Sequence, residues 1–398
     1  MSLNETPRAN RLHIGIYGKR NSGKSSLINA ITGHETALVS EFAGTTTDPV
    51  FKSLEIQGIG PCVLIDTAGF DDQGAIGELR VEMTKRALDK TDMALVVFDD
   101  DPQLEQEKAW IAQLKKRNIP IIPVLNKADI LSESSTAMQY IESEIGIKPI
   151  LVSAKEKTGL QQIRTSILRN LPEDYDNKTI TGELVKEGDL VLLVMPQDIQ
   201  APKGRLILPQ VQTIRELLDK RCLIMSATTD KLDEALGAMA RPPEVIITDS
   251  QAFKTVYDKK PEASKLTSFS VLFAGYKGDL DYYTLSASAI ESLTEGSKVL
   301  IAEACTHAPL EEDIGREKIP DLLRQKIGPG LTIDFVRGSD FPEDLKTYDL
   351  VIQCGACMFN RKMVLSRIEK AASQGVPMSN YGVVIAHLSG ILDKISMT

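Results

Sequence analysis

The chain has 398 residues, 42% of them hydrophobic and 25% charged, with a formal net charge of −9. That length calls for two or three hydrophobic cores rather than one. The acidic balance, without a long Lys/Arg cluster, disfavours nucleic acid as a partner, and no apolar run is long enough to suggest a membrane span.

The opening residues MSLNETPRAN (1–10) carry no apolar run and read as a flexible N-terminus, so no secretory signal is expected and a cytoplasmic protein is. Short apolar runs then alternate with helix-period segments: LHIGIYG, PCVLIDTAG, MALVVFDD, IPIIPVLNK, PILVSA, DLVLLVMP, CLIMSA, EVIITD, FSVLFAG, KVLIAEAC, LTIDFV and DLVIQC. Unalternating Val/Ile/Leu runs suit strands buried on both faces. Stretches such as EQEKAWIAQLKKR and LPQVQTIRELLDKR read as amphipathic helices. The pattern predicts an α/β chain with parallel sheets. Polar, weakly periodic stretches at 171–189 and 257–268 mark boundaries. The expected units are 11–172, a linker at 173–183, 184–266, and 267–398.

The strand LHIGIY runs into Gly18-Lys-Arg-Asn-Ser-Gly-Lys-Ser25 and then a helix, which is a phosphate-binding loop in its proper context. Gly18, Asn21, Ser22, Gly23, Lys24, Ser25 and Ser26 form the expected phosphate-binding set, with backbone N–H groups and a helix N-terminus facing the anion. Lys24 is expected to span the β- and γ-phosphates, and Ser25 to ligate Mg²⁺. Asp66-Thr-Ala-Gly69 ends the strand PCVLI, so Asp66 can reach the Mg²⁺ shell and Gly69 the γ-phosphate. Asn126-Lys127-Ala-Asp129 ends IIPVL, and its Asp129 carboxylate suits the two N–H donors on one edge of guanine. Adenine lacks the exocyclic amine, so ATP would leave that carboxylate unpaired. Ser153-Ala154-Lys155 follows PILV and supplies a backbone N–H to the guanine carbonyl. Four motifs in order, each at a strand end, predict a P-loop GTPase domain followed by two smaller α/β domains.

The segment Ala43-Gly-Thr-Thr-Thr-Asp48 resembles switch I of the Era and tRNA-modification GTPase group. That resemblance implies that Thr46 closes over Mg²⁺ and the γ-phosphate. It also implies that Asn21 ligates a K⁺ ion bridging the phosphates, as an arginine finger would; a loop Asn that favours a turn is the alternative. Lys24, Thr46 and Asn21 are the expected catalytic residues. Phe70 follows the DTAG motif where many signalling GTPases carry a water-orienting Gln, so the intrinsic rate is expected to be low. Asp71, Asp72 and Glu78 read as solvated charges.

Five cysteines, an odd number, argue against a disulfide framework. Cys62 and Cys222 sit in apolar runs and read as buried thiols. Cys305-Thr-His307 ends KVLIAEA, and Cys354-Gly-Ala-Cys357 ends DLVIQ. Both sets lie at carboxyl ends of parallel strands, where α/β proteins place their sites. The Cys-x-x-Cys loop lets two thiolates converge, with Gly355 expected to relieve the tight backbone. Spacing alone leaves tetrahedral zinc, a 4Fe–4S cluster and a redox dithiol open. His13, His34 and His387 read as packed or surface histidines.

The G motifs, the loop PQDIQAPKGRLILPQVQ, the stretch EACTHAPLEEDIGREKIP and QCGACMFNR together resemble the HydF family of FeFe-hydrogenase maturation GTPases across essentially the whole chain. The resemblance implies a GTPase domain, a dimerisation domain and a 4Fe–4S domain. It implies a homodimer that receives a diiron precursor from radical maturation enzymes and delivers it to apo FeFe-hydrogenase. Cys305, Cys354 and Cys357 would be the cluster thiolates, with His307 a possible fourth ligand. Gln353 stands where the family often has His, and favours an exchangeable fourth site. The rival expectation is an Era-like RNA- or ribosome-associated GTPase whose C-terminal domain binds zinc.

Overall fold

The computed structural model describes residues 6–34, 41–42, 50–56, 58–67, 86–101, 103–131, 134–172, 175, 178–196, 206–304, 314–338 and 340–397. The chain divides into two compact units, residues 1–177 and 178–398.

The first unit is built on a seven-stranded sheet. Its strands are β1 (Leu12–Tyr17), β2 (Glu41–Phe42), β3 (Val50–Ile56), β4 (Gly60–Asp66), β5 (Met93–Phe98), β6 (Ile121–Leu125) and β7 (Ile150–Leu151), in the order β2-β3-β4-β1-β5-β6-β7. β1 and β5 are buried along their full length, as unbroken apolar runs require. β3 runs antiparallel to both β2 and β4, an exception to the expected parallel sheet. Gly15 in β1 leaves room for Tyr17: a Cβ there would stand 2.6 Å from the Tyr17 ring. That ring packs against Trp110 at 5.1 Å and bonds Thr91 through its hydroxyl at 2.7 Å. The helices are α1 (Lys24–His34), α2 (Glu105–Lys116), α3 (Ser134–Ile145) and α4 (Leu160–Arg169).

The second unit holds two four-stranded parallel sheets. One contains β8 (Leu190–Val194), β9 (Leu223–Ala227), β10 (Val245–Thr248) and β11 (Lys265–Ser268), in the order β11-β10-β8-β9. The other contains β12 (Lys298–Glu303), β13 (Thr332–Arg337), β14 (Leu350–Gln353) and β15 (Met378–Asn380), in the order β13-β12-β14-β15. The two sheets therefore share one strand order, with the reversal between the first and third strands of each. Helices α5 (Leu208–Asp219), α6 (Leu232–Gly237), α7 (Phe253–Lys259), α8 (Phe269–Lys277), α9 (Leu280–Ala287), α10 (Ile319–Ile327), α11 (Arg361–Ser373) and α12 (Tyr381–Leu388) complete it.

Two elements differ from the sequence pattern. FSVLFAG forms α8, not a strand. Phe269, Leu272 and Phe273 pack into one apolar cluster with β8 and β10, while Val271 and Ala274 enter a second cluster that runs into the other sheet. A helix buried on both sides carries no polar stripe, so its periodicity cannot separate it from a buried strand. The charged stretch at 257–268 also contains β11, and the expected division at 266/267 falls inside that strand. Leu192 and Ile246 share one core with Leu300, Val351 and Met378, so apolar packing is continuous between the two sheets. The far end of the expected linker is likewise built into this unit. Glu216 accepts the Ile180 N–H and, at 2.8 Å, the Thr181 N–H.

Candidate functional site

The phosphate loop leaves β1 beside β5. Gly18 has φ +148° and lies so close to that strand that a Cβ would meet the Val97 carbonyl at 2.4 Å. Asn21, φ +62°, and Gly23, φ +91°, take left-handed backbone, which Gly accepts freely and Asn better than most residues. The conformation alone is therefore sufficient reason for an Asn at 21. Lys24 is buried at 8% exposure, and its ammonium donates to the carbonyls of Gly18 at 2.7 Å and Lys19 at 2.5 Å. It thus closes the loop on itself at the position where phosphates are expected. Ser22 is fully buried and donates to the Lys19 carbonyl at 3.0 Å. Ser25 and Ser26 stand exposed at the start of α1.

Ser25 Oγ donates to Asp66 Oδ2 at 2.8 Å, which brings two of the three expected Mg²⁺ groups together. Burial raises the Asp66 pKa above the usual carboxylate range, against the opposing pull of the Ser25 hydrogen bond and of Lys24 and Lys52. Divalent cation binding would repay that desolvation. Thr67 donates through its hydroxyl to the Ile16 carbonyl at 2.5 Å, tying the end of β4 to β1. Thr46, Gly69, Phe70, Asp71, Asp72 and Glu78 lie outside the described residues.

At the base end, Asn126 is buried and acts as a tie. Its Nδ2 donates to the Ser22 carbonyl at 3.1 Å, and its Oδ1 accepts the Ala154 N–H at 3.1 Å. A Cβ on Gly23 would sit 2.2 Å from that amide nitrogen. Asn126 therefore joins the phosphate loop to the Ser153-Ala154-Lys155 loop, a role the motif spacing does not reveal. Ser153 Oγ donates to Asp129 at 2.6 Å and lowers its pKa below the usual carboxylate range, with Lys155 at 3.7 Å adding to the effect. A firmly anionic carboxylate is what a guanine edge requires. Lys127, φ +63°, reaches Asp99 at 3.3 Å.

The second constellation lies where the strand order of the last sheet reverses, between β12 and β14. Ligand sites in open parallel sheets favour this crevice. Ala302 and Gln353 are register partners there. Cys354 Sγ accepts the Ala304 N–H at 3.0 Å. Cys305 is the next residue in the chain, but Cys305 and His307 lie outside the described residues. Among the described residues no group of three or more His, Cys, Asp or Glu is placed to hold a metal ion. The tight backbone of the Cys-x-x-Cys loop falls on Ala356, φ +50°, and not on Gly355, whose added Cβ would meet nothing within 4 Å.

Beneath this loop lie buried polar groups. Lys277, the last residue of α8, is 3% exposed, and its ammonium donates to the carbonyls of Ala356 at 3.1 Å, Cys357 at 3.2 Å and Phe359 at 2.8 Å. Burial pushes its pKa down to about 8, and Cys357 and Cys354 oppose that shift. Asn380 donates to the Cys354 carbonyl at 3.3 Å. Gln353 is fully buried, with Oε1 3.5 Å from Arg367 and Nε2 without a hydrogen-bond partner among the described residues. Burial raises the Tyr283 phenol pKa strongly, with Cys354 adding to the effect, and its hydroxyl also lacks a hydrogen-bond partner among the described residues. Sequence reasoning missed Lys277, Tyr283 and Asn380, which come from distant elements; a lone lysine closing an apolar run was the one available sign. Cys62 and Cys222 are buried thiols, His13 is buried, and His387 pairs with Glu291 at 2.9 Å.

Residues 13–127 match the 50S ribosome-binding GTPase family, so the first unit carries a GTPase domain. The tRNA modification GTPase MnmE of Endomicrobium trichonymphae is 36% identical over 163 residues, 40% of this chain and 35% of that protein. GTPase Der of Wolinella succinogenes is 34% identical over 197 residues, 45% of this chain and 41% of that protein. The chain thus spans well under half the length of these curated relatives. Among solved structures, Aquifex aeolicus Era bound to GDP and aluminium fluoride aligns at 20% identity and a TM-score of 0.35, covering 57% of this chain and 98% of that one. Residues 180–278 match the hydrogen maturase F dimerization domain and residues 281–397 its tetramerization domain, and the two together take in more than half of the chain. The chain belongs to the hydrogen maturase F family.

Proposed function

We propose that this GTPase carries a 4Fe–4S cluster on its last sheet, where it holds a diiron precursor as cargo and delivers it to apo FeFe-hydrogenase. Radical maturation enzymes supply that cargo in the cytoplasm, and the dimerization and tetramerization domains support a self-associated carrier, at least a homodimer. GTP binds with Mg²⁺ on Ser25, Asp66 and Thr46, while Asn21 holds a K⁺ ion that stimulates hydrolysis. The γ-phosphate orders the switch segments, and hydrolysis releases them.

The observation that carries the cluster reading is the Ala304 N–H on Cys354 Sγ at 3.0 Å at the strand reversal. The donor set fits an iron–sulfur group: soft sulfur ligands, a peptide N–H already aimed at one sulfur, and a buried ammonium below them. Cys305, Cys354 and Cys357 would hold the cluster, leaving one coordination position for His307 or for exchange. When bound, the cluster supplies an iron site to which a second iron unit can attach. Cys354 is oriented by Ala304, and the loop that carries Cys357 is held by Lys277.

Anaerobic loading with ferrous iron and sulfide tests this directly. A brown protein with about four irons per chain supports the reading. A colourless chain holding one zinc overturns it.

A further inference from the structure

Burying a charged group is costly unless an opposite charge or a full set of hydrogen bonds compensates. Lys277 has the hydrogen bonds: three N–H donors meet three loop carbonyls, those of Ala356, Cys357 and Phe359. It has no carboxylate partner among the described residues. The groups that act on it electrostatically are the two cysteines, Cys357 and Cys354. Among the described residues the fold has therefore placed a cation in its interior whose ionisable electrostatic partners are two thiols. In a low-dielectric interior such a charge acts strongly on a neighbouring anion.

We infer that Lys277 is a positioning residue for the cluster, fixing the Cys354–Phe359 loop through three carbonyls and favouring the more negative, reduced state of the iron–sulfur group held there. This rests on the 4Fe–4S reading above. Asn380, on the Cys354 carbonyl, anchors the other end of the same loop. Of these two anchors, Lys277 is the one that brings charge. A sulfur-bound cluster gains one negative charge on reduction, and an ammonium held immobile beneath it stabilises that state without reorganisation.

The full-length chain is loaded anaerobically with ferrous iron and sulfide, and the midpoint potential is read by electron paramagnetic resonance during electrochemical titration. Lys277→Gln keeps N–H donors for the loop but removes the charge, whereas Lys277→Arg keeps the charge. The expected result is a full iron content in all three proteins. Lys277→Gln should need a potential lower by about 59 mV, a tenfold shift in the one-electron ratio, and Lys277→Arg should stay near the parent. Lys277→Met, similar in length and also uncharged, replaces Lys277→Gln if the amide variant does not melt like the parent. A parent that takes up no iron removes this inference together with the cluster reading. A parent that loads normally beside an uncharged variant of unchanged potential overturns the inference alone.

Discussion

The nucleotide site and the cysteine site both sit at carboxyl ends of parallel strands, yet they are held in opposite ways. Around the phosphate loop, polar side chains hold backbone to backbone: Asn126 bridges the Ser22 carbonyl and the Ala154 N–H, and Lys24 holds the Gly18 and Lys19 carbonyls. The ligand-facing groups there are chiefly peptide N–H groups, hard donors suited to phosphate oxygen. At the cysteine loop the proposed ligands are soft side-chain sulfurs, and the cation that holds the loop comes from a helix 79 residues earlier in the chain than Ala356. A phosphate site is mostly local in sequence because its loop and helix are contiguous. A sulfur site draws its ligands and its counter-charge from separate elements.

The sharpest test of this separation removes one site and reads the other. Lys24→Ala should reduce GTP turnover by at least about a hundredfold, as losing a phosphate-stabilising charge does, while iron per chain stays at the parent level. Cys354→Ser should do the reverse, losing iron uptake and keeping GTP turnover within about twofold, the additive outcome expected if the two sites act independently. Loss of both readouts in either variant would show that the sites are not independent.

Asn126→Ala should destabilise the first unit by about 1–3 kcal/mol, because it strands a buried carbonyl and a buried N–H. Its GTP affinity should fall as well, measured by calorimetry; a variant with parental melting would show that the tie is dispensable. For the cation, Asn21→Gly is the informative change, since glycine keeps the φ of +62° and removes only the side chain. GTP binding should survive in Asn21→Gly while the K⁺-over-Na⁺ stimulation of hydrolysis disappears. Undiminished stimulation would leave Asn21 with a purely conformational role.

The smallest expected effect concerns Asp66. Its folded-state pKa is raised by burial, so the carboxylate costs the nucleotide-free protein stability that is fully felt above that pKa, shrinks as pH falls through it and vanishes only below the unfolded carboxylate's ordinary pKa. Asp66→Asn should therefore raise the apo Tm near pH 7 by about 2 °C, with the gain over the parent shrinking in acid, while Mg²⁺-dependent GTP binding weakens. A gain that persists unchanged at low pH would point to packing rather than charge.

The nucleotide half of the molecule was legible in the sequence because each motif closes a buried strand and acts within a few residues of itself. Asp66, Asn126, Asp129 and Ser153 lie at or just past ends of the expected strands, and Lys24 and Ser25 open the helix that follows β1. What stayed hidden is contact across long separations. Nothing near Asn126 announces that it binds the phosphate loop. The helix FSVLFAGYK reads as a strand because both its faces are apolar, and that reading concealed Lys277. The loop strain also moved by one residue: local chemistry favours Gly355, whereas the chain takes its left-handed turn at Ala356. The strand KLTS was masked by the charged residues around it, because a short edge strand carries little apolar pattern of its own.

Helix α8 has one further consequence. At its start, Ser268 caps the helix by accepting the Val271 N–H, and Ser250 bonds both Ser268 and Ser270, so this end is bolted to the first of the two C-terminal sheets. At its finish, Lys277 grips the cysteine loop of the second. Nine residues of helix make a strut about 13 Å long, and Gly382 lets α12 lie hard against it. Such a strut transmits displacement rather than absorbing it. Strain applied to the sheet that matches the dimerization domain would arrive at the sulfurs as a movement of their supporting charge.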